Sequence, residues 1–161
     1  MATNVFAKYD GVEGESKDSK HDKWIDVLSL DWGTHKPGGG MTGQSRRRGA
    51  AVVEDITLTM EYEKSTPKLQ EKCLLGQVIP KLEVECVVTY GGARETYLKY
   101  EFKNVMVTSF QTNGSGNDES PPAVVLGNNF EELKVTYTEY GDDGSKKGNV
   151  ETTYKVEKGE K

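Results

Sequence analysis

Apolar and polar residues alternate along much of this chain. In DITLTMEYE, Ile56, Leu58, Met60 and Tyr62 fall on one side, with Asp55, Thr57, Thr59 and Glu61 on the other. KLEVECVVTY repeats the pattern, setting Leu82, Val84, Cys86, Val88 and Tyr90 against Lys81, Glu83 and Glu85. A period of two with one apolar face predicts half-buried antiparallel strands, because the strands of a parallel sheet read as continuous apolar runs. YGGARE then leads into ETYLKYEF, where Leu98, Tyr100 and Phe102 alternate with Tyr97, Lys99 and Glu101. Gly91 and Gly92 supply the positive φ of a tight hairpin at that junction. Further strands are predicted at VMVTSFQT, ELKVTYTEY and VETTYKVE, separated by the turn-rich NGSGNDESPP and GDDGSKKGN.

One stretch, STPKLQEKCLLG, breaks this period. Thr66 suits an N-cap, Pro67 the first helical position and Gly76 the stop, which predicts a short helix over residues 67–75. Leu69, Cys73 and Leu74 are expected on the side that packs against the strands. In the earlier IDVLSLDW stretch, inward-pointing Leu28, Leu30 and Trp32 would leave Ser29 and Asp31 on the opposite, polar face. The expectation is one all-β, mainly antiparallel domain over residues 1–161, a β-barrel or β-sandwich with one short α-helix.

Composition narrows the functional classes. Leu, Ile, Val and Phe supply 33 of 161 residues, a thin apolar content that favours burying more surface by assembly. The net charge of -5 argues against nucleic acid as the main partner, and Arg46, Arg47 and Arg48 form the one dense basic cluster. The beginning MATNVFAKYDGVEGES has no basic start followed by an apolar run, and no stretch approaches about 18 apolar residues. The expectation is a chain folded in the bacterial cytoplasm that leaves without a Sec signal peptide and inserts in no membrane. Cys73 and Cys86, with His21 and His35, lack metal-ligand spacing and are expected to be free thiols and metal-free imidazoles.

The segment THKPGGGMTGQSRRRG imitates a phosphate loop when counted from Gly38 to Gly43 and Ser45. Gln44 stands where the phosphate-binding Lys belongs, and a strand pattern rather than a helix follows, so no nucleotide is expected there. DDGSKKGNVE fails as a calcium loop because Asp142 and Asp143 are adjacent instead of alternating. No nucleophile, base and orienting acid are tied together by local pattern. Neither enzyme activity nor a cofactor is expected. A glycine-rich connection over residues 34–49 is long for a hairpin, and two readings remain for it. It is either a solvated loop or an assembly arm in which Gly38, Gly39, Gly40, Met41 and Gln44 allow close approach and Arg46, Arg47 and Arg48 offer planar donors to carboxylates.

The stretch Val5 to Gly33, with Gly14-Glu15-Ser16, His21, Ile25-Asp26-Val27-Leu28 and Trp32-Gly33, resembles the haemolysin-coregulated protein (Hcp) family, the tube protein of bacterial type VI secretion systems. The resemblance continues in order through the glycine-rich loop, DITLTMEYEKSTPKL, Gly-Gln-Val-Ile-Pro and YGDDGSKKG. Gly127 and Asn128 depart from the smooth alternation expected there. The resemblance implies a small antiparallel β-barrel of two packed sheets with a side helix, similar to phage tail-tube proteins. It also implies a homohexameric ring that stacks into an expelled tube, with contractile sheath, spike and channel-borne effector proteins as partners. The loop then acts as a contact between subunits or rings, and Ser29 and Asp31 are candidates for the channel wall. A tail-tube protein of a phage or other contractile particle, and a β-sandwich module binding sugar or peptide, are the alternative readings. Replacing Arg46, Arg47 and Arg48 together by Glu is expected to leave the barrel folded by circular dichroism. The same variant should impair assembly in size-exclusion chromatography, and the loss should shrink at 1 M salt, where the Debye length is about 3 Å.

Overall fold

The computed structural model describes residues 3–36, 51–90 and 92–161. Its strands are β1 (Asn4–Tyr9), β2 (Ile25–Asp31), β3 (Thr34–His35), β4 (Val52–Val53) and β5 (Ile56–Glu61). After helix α1 (Thr66–Leu75) come β6 (Ile79–Tyr90), β7 (Ala93–Asn113), β8 (Ala123–Asn129), β9 (Glu132–Tyr140) and β10 (Lys146–Lys155). Eight strands form one sheet in the order β10-β9-β7-β6-β1-β2-β5-β8, and β8 also pairs with β7. That last pairing closes β7, β6, β1, β2, β5 and β8 into a six-stranded antiparallel barrel. One curled sheet therefore supplies both packed walls, and β9 and β10 leave the barrel as a wing.

Closure depends on the 21-residue β7. Its first half pairs with β6 on one side and, from Leu98 to Lys103, with β9 on the other. Its second half, Met106 to Asn113, pairs with β8. Between the halves Asn104 takes φ 52°, a left-handed conformation that Asn tolerates better than most residues. Its Nδ2 donates to Glu131 Oε2 at 2.7 Å, and the Glu131 N–H donates to Lys103 O at 3.0 Å. These bonds hold the chain where it passes from β8 to β9 against the bend.

The alternating apolar residues meet inside the barrel. Ile56, Leu58 and Met60 of β5, Leu82 and Val84 of β6 and Phe102 of β7 are all buried, each such side chain contributing about 1.5–3 kcal/mol. Helix α1 has Pro67 in its first turn and ends at Gly76, whose φ of 62° is the left-handed cap that glycine accepts without strain. The capping position is Ser65 rather than Thr66, and Thr66 Oγ1 instead accepts the Glu63 N–H at 3.0 Å. Leu69 is fully buried and Cys73 half-buried, but Leu74 is 77 % exposed, so it does not join the packed side. The helix turns only a narrow stripe inward.

The irregular Gly127 and Asn128 have a packing reason. A Cβ at Gly127 would meet the Ser109 hydroxyl on β7, so a larger residue here requires that side chain to move aside, and glycine lets β8 and β7 approach without that adjustment. Asn128 is fully buried, accepts the Tyr9 hydroxyl at 2.7 Å and donates to Ile56 O at 3.1 Å and Leu126 O at 3.3 Å. Burial pushes the Tyr9 phenol well above its ordinary range, keeping it a neutral donor.

The outer face of β6, β7, β9 and β10 is a ladder of opposite charges. Lys81 Nζ lies 2.7 Å from Glu83 and 3.2 Å from Glu101, and Lys99 Nζ lies 3.9 Å from both Glu85 and Glu101. Lys103 faces Glu132 at 3.8 Å and Lys134 faces Glu151 at 3.7 Å. The Glu83 hydrogen bond raises the Lys81 ammonium above its usual range. Burial acts to raise Glu83, but its bond to Lys81 and the charges of Lys99, Lys81 and Lys8 outweigh that and leave it lowered.

Two measurements follow. Asn128→Leu strands the Tyr9 hydroxyl and the Ile56 carbonyl, and is expected to cost roughly 2–4 kcal/mol in urea denaturation. Tyr9→Phe alone should cost about 1–2 kcal/mol, and the double variant less than the sum. For the ladder, a lowered carboxylate stabilises above its unfolded pKa and a raised lysine below its own, so both contribute between about pH 4.3 and about pH 10.4. Lys81→Met should lower stability by less than about 1 kcal/mol within that window, with the difference from wild type vanishing as acid protonates Glu83.

Candidate functional site

With no reaction centre predicted, the surfaces that can meet other molecules are the site. Three are built by the elements above. The first is the outward face of β2. Val27 pairs with Met60, whereas Ser29 pairs with Thr59, so one extra residue sits between them. This bulge carries Leu28 out of the barrel, where it is 61 % exposed, correcting the expectation that Leu28 points inward with Leu30 and Trp32. Ile25 and Val27 are buried before the bulge, and Leu30 and Trp32 pack on the core after it. Two-residue alternation resumes with its phase shifted by one. Ser29 and Asp31 are both exposed and flank the partly buried Leu30.

The second surface begins at the stem of the long loop. Thr34 pairs with Val53 and His35 with Val52, so β3 and β4 form a two-stranded base. The Glu54 N–H donates to Gly33 O at 3.0 Å, and the Trp32 indole N–H donates to Glu54 O at 2.8 Å. The Trp32 ring stands edge-on to Tyr100 and Phe102 of β7, with centroids 5.6 and 5.5 Å apart. Aromatic packing thus ties the stem to the barrel wall. The predicted contact residues Gly38, Gly39, Gly40, Met41, Gln44, Arg46, Arg47 and Arg48 lie outside the described residues.

The third surface is the wing. Leu133 of β9 and Tyr154 of β10 lie close to the barrel core, but Tyr137 and Val150, paired across the same two strands, are 46 % and 73 % exposed. Leu98 of β7 is the register partner of Tyr137, so the apolar face continues outward past the core. Among the described residues β10 pairs with no strand but β9. Its outer edge is used at one end, where the Lys155 N–H donates to Glu160 O at 2.7 Å.

A polar cluster links the chain segment between β1 and β2 to the sheet. His21, buried, has Nδ1 2.7 Å from Asp18 Oδ2 and Nε2 3.2 Å from Glu85 Oε1. The ring stacks on Phe6 at 4.4 Å and meets Trp24 edge-on at 4.8 Å. Asp18 also binds the Arg94 guanidinium. Gly14 lies so close to the Trp24 carbonyl and Ile25 that a Cβ would clash, and buried Ser16 exchanges backbone bonds with Trp24 and Lys23. Asp18 and His21 are three residues apart, a spacing visible in the sequence. Glu85, 64 residues from His21, joins them only through folding. Nearby, Glu63 is raised above the usual carboxylate range by burial, although bonds from Ser65 and the Glu15 N–H oppose the shift. Cys86 is buried, which pushes its thiol up to about 11, and Cys73 is also free. A thiol so raised is a poor nucleophile near neutral pH. No group of His, Cys, Asp and Glu suited to a metal occurs among the described residues.

Known proteins carry the same arrangement. Residues 6–141 match the family model described as "Type VI secretion system effector, Hcp". The protein hcp1 of Pseudomonas aeruginosa is 36 % identical over 149 residues, covering 92 % of this chain and 91 % of that protein. A solved structure of a type six secretion system protein superposes with a TM-score of 0.90 at 27 % identity, covering 99 % of both chains. Hcp1 from Salmonella typhimurium gives a TM-score of 0.80 at 26 % identity, again covering 99 % of each chain. Sequence and barrel agree over nearly the whole length, and this chain belongs to the Hcp family of type VI secretion, a structural and non-enzymatic family.

Proposed function

We propose that this chain is the repeating subunit of a type VI secretion tube. Six copies close into a ring, and rings stack into the inner tube that a contracting sheath expels behind a spike. The observation that carries this reading is the unfinished wing. A ten-residue strand with an open outer edge invites pairing with another chain, and soluble proteins usually blunt such edges. Its apolar face, with Tyr137 and Val150 uncovered, adds burial to that pairing. A head-to-tail contact between two different surfaces of one chain closes a ring when the rotation permits.

In this reading the polar, exposed Ser29 and Asp31 line the channel that carries effector proteins, and the loop of residues 34–49 leaves its stem to contact a neighbouring subunit or ring. Like-charged copies meet through local complementary patches, with Arg46, Arg47 and Arg48 set against carboxylates such as Glu131 and Asp142. The subunit folds in the cytoplasm and leaves with the tube.

Light scattering with negative-stain microscopy tests this directly. Wild type is expected to form rings of about six times the subunit mass of 17.8 kDa, and a monomer at tens of micromolar would overturn the reading. Val150→Lys should preserve the barrel by circular dichroism. Placing a charge on the wing's apolar face is expected to weaken assembly at least tenfold, about 1.4 kcal/mol per contact.

A further inference from the structure

We propose that Asn113, where β7 passes into the loop before β8, is a self-modification site at which the side-chain amide leaves as ammonia and a carboxylate takes its place. The step is independent of ring formation and needs only water. The Gly114 backbone nitrogen, giving up its proton, attacks the Asn113 side-chain carbonyl carbon and closes a five-membered imide, a ring closure within one chain in which proximity replaces a second reactant. As that bond forms, the bond from the same carbon to the amide nitrogen breaks, and the nitrogen departs as ammonia with the proton Gly114 lost. Water then opens the ring at either of its two carbonyls. One opening leaves Asp; the other leaves an isoaspartyl linkage, in which the chain runs through the side-chain carbon and the former main-chain carbonyl becomes the carboxylate. One water is consumed and one ammonia released, with nothing oxidised or reduced.

Ring closure requires a side-chain amide free to turn, a following N–H without an acceptor, and no bulk on the following residue to obstruct the approach. Of the seven asparagines, Asn113 alone is followed by glycine. The fold removes most of the others on separate grounds. Asn104 Nδ2 donates to Glu131 at 2.7 Å, Asn129 Nδ2 donates to Asp55 at 2.9 Å, and Asn149 Oδ1 accepts the Thr138 hydroxyl at 2.9 Å. Asn128 is buried with its amide engaged by Ile56 O and Leu126 O. The N–H that follows Asn117 donates to Ser115 O at 3.3 Å, and Asn4 is followed by the β-branched Val5. Asn113 is exposed, and no hydrogen bond among the described residues holds its side chain or the Gly114 N–H. It is the last residue of β7, opposite Ala123, and Gly114 to Pro122 beyond it are all exposed. The peptide unit that must rotate therefore lies outside the ladder, at a loop base where local freedom concentrates. The new carboxylate joins Asp118 and Glu119 in the same loop, and any assembly of this chain carries that added negative charge once per copy. The isoaspartyl form also lengthens the main chain by one atom where β7 and β8 part, while the barrel stays closed.

Peptide mass spectrometry with electron-transfer fragmentation, which separates Asp from isoaspartyl products, tests the site on the full chain aged in neutral buffer, both folded and unfolded in urea. In the folded chain Asn113 is expected to convert at least about tenfold faster than any other asparagine. Its folded rate should stay within about threefold of its rate in urea, because a segment of low local stability gives little protection. Gly114→Ala should slow the conversion about tenfold or more by crowding the attacking nitrogen. A Cβ at Gly114 would also press on Pro122 at 3.1 Å, so Asn113→Gln, whose longer side chain closes only a larger ring, is the second variant and should show no conversion. Circular dichroism checks that both variants fold. The proposal fails if folding protects Asn113 more than about tenfold relative to urea, if conversion is spread evenly over the asparagines, or if folded Gly114→Ala converts at the wild-type rate.

Discussion

The double pairing of β7 is the constraint on which the remaining structure depends. One strand serves β6 along its first half and β8 along its second, while β9 takes the side that β8 vacates. The backbone groups of a strand this long would be left exposed in an open sheet. By bending at Asn104 the strand satisfies them twice over, closing the barrel and starting the wing. The Asn104–Glu131 contact is small, yet it stands at the point where the chain must choose between finishing the barrel and leaving it.

The surfaces follow from that choice. Inside the barrel, the apolar face of β7 meets Leu133 and Trp32 and is buried. Beyond the barrel, the same face runs on through Leu98, Tyr137 and Val150 without enough chain to cover it. The opposite face of the wing and its neighbours is a ladder of Lys and Glu that needs no cover, since alternating charges compensate each other across strands. A subunit with one finished side and one unfinished side is suited to repetition, because each copy can complete its neighbour.

Much of this was legible in the residues. The alternation of Ile56, Leu58 and Met60, and of Leu82 and Val84, identifies half-buried antiparallel strands because such a strand must present every second side chain inward. Pro67 and Gly76 bracket the helix for backbone reasons that hold in any fold. The family resemblance through Gly14-Glu15-Ser16 and Trp32-Gly33 rests on residues that the structure shows under real constraint, since Gly14 admits no Cβ and Trp32 anchors the loop stem. What failed were the places where alternation was extended through an irregularity. Leu28 looks inward by parity and is carried outward by a bulge. Leu74 looks like part of a packed helical stripe, but the barrel wall reaches only Leu69 and part of Cys73.

The sequence by itself determined the all-β class, the faces of the regular strands, the position of the helix and the family, because these depend on local periodicity, backbone preference and ordered motifs. Tertiary structure decided which strands become neighbours, and with them everything that needs residues distant in the chain. Asn128 reads as an interruption until Tyr9, 119 residues away, supplies its partner. His21 reads as an isolated imidazole until Glu85 and Phe6 close around it. Side-chain hydrogen bonds and bulges of this kind draw their energy from contacts that exist only after the sheet has closed, so no local pattern encodes them.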